Sequence, residues 1–307
     1  MNWTLLLEQT LNGFQFGILL FLLAAGLTLI FGIMDLINLA HGSLYMMGAY
    51  FAATFTKWTG SFLLGAILAI PASMAFGMIV EMIALRTLYT RNHLDQVLAT
   101  FGLILFFNEF VRLIWGPIGL DIPLPEVLNG SVELFLGIRY PAFRLVIIAV
   151  GILVAFLLYL LVSRTKLGML IRAGASNRQM ISALGVNINF LYTIVFGLGA
   201  ALAGLAGLMA GPIMTVEIGM GEGILIITLV VIVIGGVGSI KGAFIAALLV
   251  GLIDTLGRSF LPDILALFFS NDVADTASPA ISSMLIYLLM ALILAIKPQG
   301  LFPPRGA

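Results

Sequence analysis

Along this chain apolar residues run in long unbroken blocks, and polar residues gather in the gaps between them. The blocks fall near residues 9–33, 37–56, 62–84, 95–115, 143–163, 190–211, 223–238, 241–261 and 280–296. About 20 apolar residues in a helix cross a hydrocarbon core of ~30 Å. A helix also satisfies its own backbone hydrogen bonds where no water is at hand. The pattern predicts an all-α, polytopic integral membrane protein of about eight or nine transmembrane helices, with residues 1–307 forming one domain. Blocks two, seven and eight are short or rich in glycine and polar groups, which makes them candidates for broken or re-entrant spans.

The gaps carry as much information as the blocks. Ser163–Asn187 reads SRTKLGMLIRAGASNRQMISALGVN and holds Arg164, Lys166, Arg172 and Arg178 with no carboxylate. Within it, Ala173–Gly185 is expected to form one short helix ended by a turn: Ala175, Gln179 and Ala183, and Met180 and Leu184, recur at helical spacing, and Gly185 stops the run. A helix held in the loop of a membrane protein is presented to a partner outside the membrane. Loop 116–142 has Pro117, Pro123 and Pro125 ahead of a short apolar stretch near Val132–Ile138, which suggests an ordered hairpin or helix. Loop 262–279 is more polar and is expected to be flexible. Arg86 and Arg91, the four cations above, and Lys297 with Arg305 all reach one side if the spans alternate. By the positive-inside rule that side is the cytoplasm, so nine crossings put the N-terminus outside and the C-terminus inside.

Composition agrees and removes whole classes of function. The chain is 62% hydrophobic and 9% charged with mean hydropathy +1.19, whereas soluble domains are about a quarter charged. A net charge of zero offers no footprint for nucleic acid. Without cysteine there is neither a disulfide framework nor a thiolate metal site. The opening MNWTLLLEQ lacks a basic stretch, so the first block is expected to stay as an anchor. His41 and His93 are the only histidines, and no lysine precedes Ser or Thr, so neither H-E-x-x-H nor G-K-[ST] exists. Gly235–Gly242, GGVGSIKG, places glycine after its lysine and reads as a tight break between spans. No catalytic residue and no metal ligand set is expected.

Polar groups inside apolar blocks are costly and therefore informative. Asp35, Asn38 and His41 recur every three residues in GIMDLINLAHGS (32–43) and would share a face of a helix. They either cap helix ends and satisfy one another, or border a solute path. Asn108 and Glu109, with Arg112 one turn on, sit towards the outer end of block four, as path residues or as a local Glu109–Arg112 pair. Asp254 and Arg258 also have ion-pair spacing, and Pro71 interrupts block three. Ala200–Gly204 and Ala203–Gly207–Gly211 stack small residues on one face, as close helix contact requires. A faint internal echo links Gly17-Ile18-Leu19, leading to Ile33, with Gly223-Ile224-Leu225, leading to Val237.

GIMDLINLAHGSLYMMGAY (32–50) resembles the signature of the permease subunits of branched-chain amino-acid ABC transporters, and the resemblance continues for most of the chain. It runs through ATFGLILFFNEFVRLIWGP (99–117), RTKLGMLIRAGASNRQMISALGVN (164–187), VIGGVGSIKGAFIAALLVGLIDTLGR (233–258) and KPQGLFPPRG (297–306). The Asn38-x-Ala40-His41-Gly42 element is similar to that of the first of two related permeases in such systems. The resemblance implies that Ser176–Gly185 is a coupling helix docking on a cytoplasmic ATPase, with Arg172, Ala175, Ser176, Asn177, Arg178, Met180, Ala183, Leu184 and Gly185 in the coupling loop. Ser176-Asn177-Arg178 departs from the broader importer pattern, in which acidic residues often stand here. It further implies a second related permease, two ABC ATPases that carry the ATP and magnesium, a periplasmic binding protein, and a place in the bacterial inner membrane. Branched-chain amino acids are the implied solute. Similar permeases carry urea or short amides, and a self-sufficient secondary carrier would have to rely on Asp35 and His41.

Overall fold

The computed structural model describes residues 3–134 and 137–303; Arg305 and the middle of the 132–138 stretch lie outside them. Helices α1 (Trp3–Met34), α2 (His41–Thr59), α3 (Phe62–Val80) and α4 (His93–Trp115) come first. A short α5 (Glu126–Asn129) and the antiparallel hairpin β1 (Ser131–Glu133) and β2 (Arg139–Pro141) follow. Then come α6 (Ala142–Arg164), α7 (Lys166–Ser176), α8 (Arg178–Ala183), α9 (Ile188–Ala210), α10 (Met220–Gly235), α11 (Ile240–Leu265) and α12 (Asn271–Ile296). Seven helices are long and apolar enough to cross a membrane: α1, α3 with its extension to Leu88, α4, α6, α9, α11 and α12. With the shorter α10 and with α2, the described residues pass through the bundle nine times. The chain is a multi-pass, all-α membrane protein.

Buried α1 and α9 form the centre, while α4, α6 and α12 show most of their apolar surface outward, as a lipid solvent permits. The small-residue face of α9 is consumed inside the chain. Gly204 meets Gly48 and Ser73, and Gly207 meets Tyr45 and Ala49.

Contacts at the helix ends give the directions. Gly174 of α7 lies beside Ile33 and Leu191, so α1 ends and α9 begins at the end of the bundle that holds α7 and α8, called here the basic end. Glu81, just past α3, bonds Thr193 near the start of α9, so α3 also runs to the basic end. Gly238, before α11, lies against Gly32, so α11 starts there and runs away. Two groups of four helices, α1–α4 and α9–α12, therefore follow the same order in opposite directions, with α6 between them. Each is a long central helix, an irregular stretch, a second helix and two more spans. This is an inverted repeat of the kind common in transporters. It corrects the echo expected from sequence: the counterpart of α1 is α9, not α10.

Three further expectations change. Residues 35–38 are irregular and 39–40 form a turn, so Asp35, Asn38 and His41 share no helix face. Asp35 ends α1 at φ 54°, a left-handed conformation that aspartate tolerates better than most residues. The His41 ring then meets the Leu23 carbonyl at 3.2 Å, which places the start of α2 at the middle of α1. Block eight is unbroken, since α11 is one 26-residue helix. Loop 262–279 shrinks to residues 266–270, because Asp263, Asp272, Asp275 and Thr276 sit on exposed helical turns. Arg258 bonds Asp254 at 2.9 Å and Ser283 at 3.3 Å, tying α11 to α12.

At the far end, Leu120 and Val216 exchange backbone hydrogen bonds of 2.9 Å, pinning the outer loop to the α9–α10 connection. At the basic end, GGVGS forms the expected break, with Gly236 at φ 103°, Gly238 at φ 84° and Ser239 capping α11 through the Gly242 amide. Residues beyond α12 return here: the Leu301 and Phe302 amides donate to the Ile234 and Gly235 carbonyls at 2.8 and 3.0 Å. The Lys241 ammonium stands 5.1 Å over the Phe302 ring, a cation–π contact that holds the returning strand.

Candidate functional site

The basic-end helices are built from caps. Thr165, Asn177 and Asn187 each accept a hydrogen bond from the amide three residues on, opening α7, α8 and α9 in turn. The single helix expected over Ala173–Gly185 is thereby two, because Asn177 at φ −154° leaves the helical region to cap α8. Ile171 and Gly174 anchor α7 against the bundle, and Arg172 bonds the Val162 carbonyl. Ile181 is the one buried residue of α8. Met180 is 63% exposed and Leu184 78%, and Ala175, Ser176, Arg178 and Ala183 are exposed with them. Gly185 closes α8 at φ 86°, its amide bonded to the Ser182 carbonyl. A six-residue helix has too little intrinsic stability to stand on one buried side chain, so α8 presents a surface more than it supports the fold.

That surface is wired to the first break. Arg178 reaches Asp35 at 3.8 Å, so the two regions singled out in the sequence meet. Next along, the Ile37 amide donates to Gln96 of α4 at 3.4 Å. Asn38 is buried with both side-chain polar atoms unpaired. His41 is fully buried; its Nε2 faces the Leu23 carbonyl and so carries the proton, leaving Nδ1 a bare acceptor. Asp35, Asn38 and His41 therefore do not satisfy one another. Buried polar groups of native proteins are nearly always paired, and orphans mark places where water or a ligand belongs.

The second break lies beside the first. The backbones of Gly42, in the first turn of α2, and Gly221, in the first turn of α10, touch; a side chain on either would collide with the other's carbonyl. A small cavity opens at this junction, lined by Ser43, Met46, Ile104, Asn108, Glu222 and Leu225 among others. Asn108 of α4 donates to Glu222 of α10 at 2.6 Å across its mouth. Glu109 points elsewhere, in an exposed pair with Arg112 at 2.7 Å. Of the proposed path residues, only Asn108 lines this cavity; Asn38, His41 and Glu109 do not, and Asp35 lies at the basic end. From sequence, Glu217 and Glu222 flank Gly219 and Gly221 at an outer entrance and read as a solvated loop. Glu222 lies instead in the first turn of α10, where a carboxylate ahead of an apolar run is a helix-start signal, and Ser43 was not singled out.

A second unforeseen cluster clamps α3 to α9. Glu81 is fully buried on a π-helical turn, Glu81–Leu85, and accepts from Arg86 at 3.1 and 3.3 Å, Tyr89 at 2.8 Å and Thr193 at 2.7 Å. Burial, and then the Glu81 carboxylate, push the Tyr89 phenol well above its usual range, so it stays a donor. Among the described residues no group of His, Asp or Glu could hold a metal ion.

The same architecture can be asked of known proteins. A family model described as branched-chain amino acid transport system / permease component matches residues 9–294. The high-affinity branched-chain amino acid transport system permease protein BraD of Pseudomonas aeruginosa is 31% identical, over 96% of this chain and 95% of its own. Permease protein LivH of Escherichia coli is 30% identical, over 96% and 94%. A probable LivH of Methanocaldococcus jannaschii is 29% identical, over 79% and 78%. No solved structure matches. With the family model covering nearly all of its length, the chain belongs to the permease-component family of branched-chain amino acid transport systems.

Proposed function

We propose that this permease is one membrane half of an ATP-driven importer of branched-chain amino acids. It pairs with a second, related permease, two ABC ATPases and an extracytoplasmic binding protein. The observation that carries the reading is α8, a helix held outside the bundle by one buried residue with Met180 and Leu184 uncovered. ATP and magnesium belong to the ATPases, since this chain has no phosphate loop. Closure of the ATPases pushes α7 and α8, and the Arg178–Asp35 pair passes the movement to the stretch that leads into α2. The nucleotide drives the change only through its different affinity for the two states.

Charge supports the orientation. Arg86, Arg91, Arg164, Lys166, Arg172, Arg178, Lys241 and Lys297 lie at the basic end, whereas Glu126, Glu133, Glu217, Asp272 and Asp275 lie at the other. The basic end is the cytoplasmic side of the inner membrane, with the end of α12 on that side. The β-hairpin end then receives the binding protein. A carboxylate at the depth of Glu222 would be expensive against lipid, so that face is turned to the second permease and the solute path.

Reconstitution of all the named subunits in proteoliposomes tests the reading. Labelled leucine should accumulate only with ATP and every component present, and excess urea or acetamide should not compete. Uptake of urea instead would change the solute. Flux through this chain alone would defeat the importer reading.

A further inference from the structure

The junction of α2 and α10 holds more than a tight helix contact. The amides of Gly42 and Gly221, each in the first turn of its helix, donate to no described residue. Both helices are long enough to carry a dipole, 19 and 16 residues, and their positive ends meet here. Ser43 is 95% buried, lines the cavity, and its hydroxyl makes no hydrogen bond to a described residue. Unpaired donors at helix starts and the unpaired, cavity-facing hydroxyl of Ser43 together suit a carboxylate. At the same cavity the Glu222 carboxylate is engaged, among the described residues, by the neutral Asn108 amide and by no cationic side chain, which leaves it suited to a cation. Met46, Ile104 and Leu225 make the remaining wall apolar.

We propose that this junction is the permease's own recognition subsite for the zwitterionic head of an aliphatic α-amino acid. Ser43 and the Gly42 and Gly221 amides take the carboxylate, Glu222 takes the ammonium, and the apolar wall takes the side chain. The inference rests on the amino-acid import reading and deepens it, because urea and neutral amides have neither charge. The structure holds the closed form: the free space, about 10 Å³, is no more than one water needs. The Asn108–Glu222 bond ties α4 to α10 across the mouth, and admission of a solute requires it to exchange for the ammonium. Glycine at 42 and 221 is then required twice, for the approach of the two backbones and for leaving their amides open to the carboxylate.

The chain contains no cysteine, so one introduced thiol reports on the cavity without background from this subunit. Ser43→Cys, assembled with cysteine-free partners in proteoliposomes, is alkylated with a small methanethiosulfonate while the transporter turns over. Leucine should slow the modification by about threefold or more, while leucinol, lacking the carboxylate, and isovalerate, lacking the ammonium, should not. Met46→Cys serves the same purpose if Ser43→Cys fails to assemble. Glu222→Gln should abolish the protection and cut leucine uptake about tenfold, with membrane abundance kept. The subsite is overturned if leucinol or isovalerate protects as well as leucine, or if Glu222→Gln imports leucine normally. It is equally overturned if leucine gives no protection while the unmodified transporter still imports it. Failure of the unmodified transporter to import leucine at all would instead sink the functional reading beneath it.

Discussion

The two irregular stretches that interrupt the inverted repeat occupy equivalent places, yet they are built from different materials. Residues 35–40, after α1, carry Asp35 and Asn38, lead to His41, and are tied to the basic end through Arg178. Residues 211–219, after α9, carry Gly211, Pro212 and Gly219 and are tied to the far end by the Leu120–Val216 backbone pair. The first break is held by a half-exposed ion pair and by the bond of the Ile37 amide to Gln96, the second by two backbone hydrogen bonds. An ion pair of that kind contributes about 1 kcal/mol or less and can be remade in another geometry, whereas the backbone pair fixes register. The lesson is one of division: the first break is joined to α8 by a contact that can be remade, and the second is joined to the far-end loop by one that fixes register.

The largest effect should come from destroying the place where the breaks meet. Gly42→Val or Gly221→Val forces a branched side chain into the opposing carbonyl, and leucine uptake should fall by at least about tenfold, with reduced assembly. Next is the connection to α8. Gly185→Pro cannot keep φ 86° and loses the bond to Ser182, so uptake should be nearly lost while ATP hydrolysis and insertion persist. Normal uptake by this variant would remove α8 from the coupling route. The clamp on α3 and α9 should show as stability: Thr193→Val removes a bond to the buried Glu81 carboxylate, costing about 2 kcal/mol and lowering Tm by several degrees. Smaller again, Asp35→Asn keeps the left-handed backbone but drops the charge, and uptake should fall about twofold to fivefold. Exchange of the pair, Asp35→Arg with Arg178→Asp, should restore part of it; no restoration would mean the contact is incidental. Glu109→Ala, which breaks an exposed pair, should change uptake and Tm within error.

The spans were legible because hydropathy reports on the solvent around a helix, and lipid permits few compromises. Sequence distance said less about what the polar residues do. The three-residue spacing of Asp35, Asn38 and His41 suggests a helix, but the Leu23 carbonyl holds His41 far up α1 and a helical 35–41 would fall short of it. Polar residues 271–279 look like a loop to any hydropathy rule, and they are helical because exposed turns beyond the apolar belt tolerate Asp and Thr, while buried Ser278 bonds the Ala274 carbonyl. In Ala173–Gly185 the periodicity was real on both sides of Asn177, whose side chain made a cap that spacing alone does not reveal. Glu222 and Glu81 become notable only when α4 and α9 are folded against them.

The returning strand beyond α12 has a consequence for how the chain is made. The last carbonyls of α10, at Ile234 and Gly235, are satisfied by Leu301 and Phe302, which leave the ribosome only after α11 and α12. Until then α10 enters the membrane with an unfinished end. Synthesis itself thus sets an order, in which the basic end of α10 is completed last and a chain stalled within α12 still has that end bare.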